Sequence, residues 1–192
     1  VQIGRILDAL EKSGMAKETY VFYSADHGLG VGHHGLLGKQ NLYEHSTRVP
    51  FIVQGPGIPK GKQVEAPIYL QDVMATSLAL AEVEKPAHVE FHDVLPLARG
   101  ESKKSPYKEI YGAYLSAQRS ITIKDLKVIA YPDVPIIRVY DLAKDPFEEK
   151  DLASTPAGKE TIKKFFPRLL KLQAKMGDAL DLRKAFPELA RK

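Results

Sequence analysis

An aspartate and a histidine side by side, with a lysine thirteen residues after the aspartate, are residue types that can hold a cation and an oxyanion together. Asp26 and His27 bring one carboxylate and one imidazole, and Lys39 brings an ammonium on a long arm. A cation on the first two, with the lysine as a point charge, makes a clamp for a tetrahedral anion such as sulfate or phosphate. The pair alone is unspecific, because an Asp-His step on a loop is more often a turn with a local hydrogen bond. The same segment contains Gly30-x-Gly32-x-x-Gly35, the spacing of a dinucleotide-binding loop. No helical face follows it and no acidic residue stands about 20 positions on, so these glycines are read as letting the backbone turn closely past the site.

The flanking residues say what must position this segment. Ile3, Ile6, Leu7 and Leu10 fall on one face of a short amphipathic helix, with Gly14 placed to end it. Residues 19–25 are β-branched and aromatic, which predicts a strand buried on both faces, as in a parallel sheet; residues 49–53 predict a second. Loops are expected at 28–38 and 54–62, and a helix over 73–81 with Asp72 as its N-cap. That order is part of an α/β layered domain, assigned to residues 1–100. Residues 101–192 read as a small subdomain. Short runs at 109–114, 119–124, 126–131 and 136–140 predict a four-stranded antiparallel sheet, followed by a terminal helix near 159–177. The boundary is expected within 86–106.

Composition narrows the function classes. The 192 residues are 44% hydrophobic and 27% charged, an ordinary globular balance. No apolar run approaches the roughly 20 residues that span a bilayer, so no membrane partner is expected. A net charge of +4 without an Arg-rich or aromatic-interleaved stretch gives no case for nucleic acid. Without cysteine there is no disulfide, no thiolate metal site and no thiol nucleophile in these residues. The chain enters a helical pattern directly at Val1, as a fragment or processed product would, and any targeting address is expected upstream.

The run Ser24-Ala25-Asp26-His27-Gly28, then His34-Gly35, Lys39 and Arg48-Val49-Pro50, closely resembles the sulfatase family of the alkaline phosphatase superfamily. Ile3-Gly4-Arg5, Gly55-Pro56-Gly57, Asp72, Tyr140-Asp141-Leu142, Asp145-Pro146 and Glu148 follow the same order. The resemblance implies the C-terminal portion of an alkaline-phosphatase-like α/β/α sandwich, followed by a small antiparallel sheet packed with a C-terminal helix. It implies Asp26 and His27 as metal ligands, with calcium favoured and manganese or magnesium open. Lys39 is implied as a catalytic contact to the sulfate oxygens, and His34 as a substrate contact or a structural hydrogen bond. His33 and His45 are read as surface residues. Glu44 and Arg48, spaced i, i+4, are expected to pair as scaffold. Asp141, Asp145 and Glu148 are expected in turn and cap roles. Tyr114 and Arg119 are weaker pocket candidates.

The family's nucleophile is a formylglycine made from Cys or Ser in Cys/Ser-x-Pro/Ala-x-Arg. The run Ser154-Thr155-Pro156 begins correctly but ends in Gly158, so the arginine is missing. The resemblance therefore implies a formylglycine upstream, in a missing N-terminal half that also completes the metal shell. The chain alone is expected to be inactive. The implied substrate is a sulfated small molecule or carbohydrate, and the implied compartment is periplasmic, secreted or lysosome-like. Two alternatives stand beside this: a phosphatase, phosphonate hydrolase or phosphomutase of the same superfamily, and a non-catalytic truncated binding module.

Overall fold

The computed structural model describes residues 1–190. Its first half runs α1 (Gln2–Lys12), β1 (Val21–Ser24), β2 (Gly30–Val31), β3 (Leu37–Gly38), α2 (Glu44–Thr47), β4 (Phe51–Gln54), α3 (Asp72–Leu80) and α4 (Leu95–Arg99). Then come β5 (Ile110–Tyr114), β6 (Gln118–Ile123), β7 (Leu126–Tyr131), β8 (Ile136–Asp141), α5 (Pro156–Lys175), α6 (Leu182–Ala185) and α7 (Pro187–Ala190). The described chain forms two compact units. One holds residues 1–26 and 50–107, the other residues 27–49 and the described residues from 108 onward. Residues 27–49 are thus grouped with the later sheet, whereas the sequence reading placed them with the first 100 residues.

In the first unit, β1 and β4 pair antiparallel, with Tyr23 opposite Ile52. This corrects the expectation of a parallel strand buried on both faces. Tyr23 and Ile52 share an exposed face, while Phe51 and Val53 alternate to the half-buried side. A short apolar run does not by itself distinguish a strand buried on both faces from one with a face open. The apolar stripe of α1 is open in the same way, with Ile3, Ile6 and Leu7 all exposed.

α3 starts at Asp72, but its N-cap is Gln71 and it has no side-chain cap bond. The fully buried Asp72 carboxylate accepts instead from the backbone N–H groups of Tyr69 (2.8 Å) and His92 (2.9 Å) and from the Tyr107 hydroxyl. Burial and the Asp72 carboxylate together push the Tyr107 hydroxyl well above its ordinary pKa. The N-cap reading of Asp72 is corrected accordingly. Its carboxylate closes a turn and a distant loop, and in doing so gains the hydrogen-bond partners a buried carboxylate needs.

The second unit is built on the sheet β5-β6-β7-β8, antiparallel throughout. Period-2 alternation gives it two different faces. Ile121, Val128, Ala130 and Val139 pack with Phe165, Phe166 and Leu169 of α5 and with Leu182 and Phe186. Ile129 and Tyr140, on the other face, pack with Leu42 and Tyr43. A helix therefore covers one side of the sheet, and the segment after Lys39 covers the other. α5 begins three residues earlier than expected, because the Thr155 hydroxyl accepts from Gly158 N at 3.0 Å and Pro156 occupies the first turn.

Beyond α5, Asp178 closes the unit. Arg119 clasps its carboxylate through Nε and Nη2, and Tyr111 Oη and Leu180 N also donate to it. Arg119 is 5% exposed, so it anchors the fold and does not line a pocket. The guanidinium, then the Tyr111 hydroxyl, hold the Asp178 carboxyl far below the usual carboxylate range. A depressed carboxylate stabilises the fold above its unfolded pKa of about 4 and loses that contribution as pH falls. Asp178→Asn is therefore expected to cost about 2 kcal/mol at pH 7. Its deficit against wild type should shrink below about pH 4, which thermal melts across pH will show.

Candidate functional site

β2 and β3 form a short hairpin with Gly30 opposite Gly38 and Val31 opposite Leu37. Gly32 (φ +94°), Gly35 (φ +71°) and Gly38 (φ +143°) take backbone conformations that favour glycine, which explains the glycines without a dinucleotide. The hairpin brings residues at its base together. Lys39 Nζ lies 2.5 Å from His27 Nε2, although the two are twelve residues apart. An ammonium has no lone pair, so Lys39 donates and Nε2 accepts. Nδ1 then carries the imidazole proton and donates to the Gly28 carbonyl at 2.8 Å. The sequence-predicted pair His27 and Lys39 is thus placed in direct contact.

Asp26 immediately precedes His27 and is exposed. Among the described residues no group of three His, Cys, Asp or Glu side chains is placed to hold a metal ion. Both nitrogens of His27 are engaged, one with Lys39 and one with Gly28. One carboxylate and one engaged imidazole do not make a cation's shell, since calcium takes six to eight oxygens. As arranged here, Asp26 and His27 could supply only part of a cation's shell.

His34 sits at the hairpin tip with φ +55°. Its ring stacks on Tyr43 at 3.9 Å and 8°, and its Nε2 bonds the Phe147 carbonyl at 3.1 Å. His33 stacks on Phe147 at 5.7 Å. His45 is not a surface residue: its Nε2 is enclosed and has no hydrogen-bond partner among the described residues. Burial, then the neighbouring His34 and His33, lower its pKa from the ordinary 6.5, so it stays neutral at pH 7.

The segment from 41 to 46 fixes this arrangement from below. Asn41 N donates to the Lys39 carbonyl at 2.8 Å, and the buried Asn41 accepts from Tyr43 N at 3.0 Å. Leu42 N donates to Gln118 Oε1 at 2.8 Å, and Gly28 N to the Ser46 carbonyl at 2.9 Å. A Cβ on Gly28 would stand 1.9 Å from the His45 carbonyl oxygen. Gly28→Ala is therefore expected to cost about 1–3 kcal/mol and to displace His27, read as a lower melting temperature with altered His27 resonances.

Glu44 pairs with Lys127 at 2.9 Å and not with Arg48, which ends the four-residue α2 at its C-cap. Lys127 also meets Glu148 at 2.9 Å, and Glu148 Oε2 accepts from Glu44 N at 2.6 Å. Asp141 and Asp145 do serve turns: they accept from Lys144 N and from Glu149 and Lys150 N respectively. Glu148 goes further, as a buried counter-charge. Gln118 and Lys127 are the contributors that sequence reasoning missed, and Glu148 was expected only in a turn or cap role. The one available signal was Lys127 itself, a lone charge inside the strand run from Leu126 to Tyr131.

With this geometry in view, the comparisons with known proteins are consistent. Residues 1–83 match the sulfatase family model. A sulfatase of Formosa agariphila is 32% identical over 149 residues, which cover 77% of this chain and 29% of that protein. Human arylsulfatase K is 32% identical over 165 residues, covering 79% of this chain and 31% of that protein. A protein solved in complex with its substrate D-glucosamine-2-N,6-O-disulfate superimposes with a TM-score of 0.84 at 28% identity, covering 92% of this chain and 38% of its own. The chain thus spans less than a third of the length of these curated relatives. The chain belongs to the sulfatase family, and the part of that fold it carries is the C-terminal portion of an alkaline-phosphatase-like α/β/α sandwich with its small antiparallel sheet and terminal helices.

Proposed function

We propose that this chain is the C-terminal part of a sulfuric ester hydrolase, and that Lys39 is its contact to the sulfate oxygens. The observation that carries the reading is the 2.5 Å contact between Lys39 Nζ and His27 Nε2, at the base of a hairpin that opens on the family's Asp26-His27-Gly28 run. The ammonium is held where a second charged group is expected. When Lys39 swings from Nε2 to a sulfate oxygen, it acts as a point charge on the developing negative charge. The same movement releases Nε2, and Asp26 and His27 are then proposed as this chain's contribution to a calcium shell, with manganese or magnesium as alternatives. Imidazole suits manganese better than calcium, so the choice of ion is open to a direct metal analysis.

The remaining ligands and the formylglycine nucleophile are proposed to lie in an N-terminal part outside these residues. Two features support this. No Cys/Ser-x-Pro/Ala-x-Arg run occurs in the 192 residues. The apolar faces of α1 (Ile3, Ile6, Leu7) and of the β1–β4 pair (Tyr23, Ile52) are exposed, as surfaces awaiting a neighbouring layer are. His34 is proposed as a second substrate contact, through the ring nitrogen other than the Nε2 held by Phe147. The substrate class proposed is a sulfated carbohydrate or small molecule, in keeping with the disulfated glucosamine bound by the solved relative.

The test compares the protein expressed from its full open reading frame with the 192-residue chain, on 4-nitrophenyl sulfate with metal supplied. Turnover by the full protein and none by the chain is the expected result. Metal-dependent turnover by the clean chain would overturn the division of the site, and no turnover by the full protein on any sulfate ester would overturn the reading.

A further inference from the structure

The ion triad beneath α2 is more than the catalytic reading requires. Lys127 is 2% exposed and Glu148 1% exposed, and the ammonium meets both Glu148 and Glu44 at 2.9 Å. One buried and one half-buried carboxylate face a single ammonium, and burial pushes the Glu148 carboxyl above its usual range. Such a cluster is a poor device for stability, since well-packed apolar residues serve as well or better. Glu148 also adopts φ +57°, a backbone conformation that non-glycine residues seldom take. What the cluster does supply is position.

Glu148 Oε2 takes the N–H of Glu44, the first residue of α2, while Lys127 takes the Glu44 carboxylate, so α2 is fixed at both its backbone and its side chain. From α2 the connections divide. One runs through the Ser46 carbonyl to Gly28 N, adjacent to His27. The other runs back through Tyr43 N to Asn41, and through Asn41 N to the Lys39 carbonyl. Both members of the His27–Lys39 pair therefore hang from residues 41–46, and those residues hang from the triad. Glu148 reaches this segment from 104 residues away in the chain.

We propose that Glu148 is a positioning residue for the His27–Lys39 pair, acting through Lys127 and Glu44. That the pair serves a sulfate ester rests on the function proposed above; the mechanical claim does not. Glu148→Gln keeps the side chain's shape and an acceptor for Glu44 N but removes the charge that holds Lys127.

The experiment records the long-range imidazole nitrogen spectrum of His27 in the 192-residue chain. The variants are wild type, Glu148→Gln, Glu44→Gln and, as a control, Asp178→Asn. Asp178 stabilises the same unit through Arg119 and Tyr111 without touching α2. Wild type and Asp178→Asn should show His27 as a single tautomer with the proton on Nδ1. Glu148→Gln should lose that signature and show an averaged imidazole, with Glu44→Gln moving in the same direction. If Glu148→Gln proves too unstable to record, Glu44→Gln, which cuts only the half-buried leg, decides by the same criterion. A Glu148→Gln or Glu44→Gln spectrum identical to wild type, or an equal loss in Asp178→Asn, would show a general structural role and sink the proposal. Inorganic sulfate, titrated into the wild-type chain, separates the two claims. Failure to shift Lys39 or His27 resonances counts against the sulfate site while leaving the tautomer result standing.

Discussion

Lys127→Met should destabilise the second unit by about 3–5 kcal/mol at neutral pH, because it strands Glu148 as an uncompensated buried charge. For a chain of this size that is a drop in melting temperature on the order of 10 °C. The pH dependence identifies the cause. Glu148 has a folded pKa raised by burial above its ordinary 4.5, even with Lys127 beside it. A raised carboxylate favours the fold below its unfolded pKa, and that contribution is lost as pH rises through the folded value. Removing Lys127 deletes the main attraction that opposes the rise, so the pKa climbs further. The deficit of Lys127→Met should therefore be largest at pH 7 and shrink toward pH 4.5 as Glu148 protonates. Thermal or urea melts at pH 4.5, 6 and 7.5 check this; a deficit independent of pH would mean that lost packing by the lysine stem is the cause.

Lys39→Ala carries the second large effect. On the proposed reading the ammonium stabilises charge that develops on the sulfate oxygens, and deleting one such donor costs about 10²–10³ in kcat. Lys39 is exposed, so the melting temperature should scarcely change. Activity loss without stability loss separates Lys39 from Lys127, whose replacement should lower stability as well. Lys39→Arg tests the chemistry more finely: it keeps the charge but replaces a compact ammonium by a planar fork, and only partial activity is expected. Full activity in Lys39→Ala, measured on the protein from the full open reading frame, would remove the residue from the mechanism.

Much of the architecture was legible in local pattern. The 3.6-residue period marked α1, and alternating runs separated by polar turns marked β5 to β8, with 126–131 matched residue for residue. Asp26, His27 and Lys39 stand out as candidates by type and order, and the structure brings the last two, twelve residues apart, into contact across a short hairpin. What stayed hidden has a common physical character. The antiparallel pairing of β1 with β4 depends on which partners are available, and an apolar run does not record that. The carboxylate of Asp72 answers to His92, twenty residues on, rather than to its own helix. Glu44 had a plausible partner at Arg48 by helical spacing, yet its carboxylate meets Lys127, 83 residues away. Glu148 looked like one more acid in a turn beside Pro146, and its burial follows only from the sheet face that Lys127 occupies. Local periodicity reports faces, whereas charge partners across a sheet are set by tertiary packing.

The measurement that bears most directly on the central claim is a selectivity assay on the protein from its full open reading frame. It compares kcat/KM for 4-nitrophenyl sulfate, 4-nitrophenyl phosphate and a phenylphosphonate monoester, in wild type and Lys39→Ala. The account predicts that the sulfate ester is the preferred substrate and that its turnover collapses with Lys39. Preference for the phosphate or phosphonate ester, or sulfate turnover that survives the loss of Lys39, would contradict it.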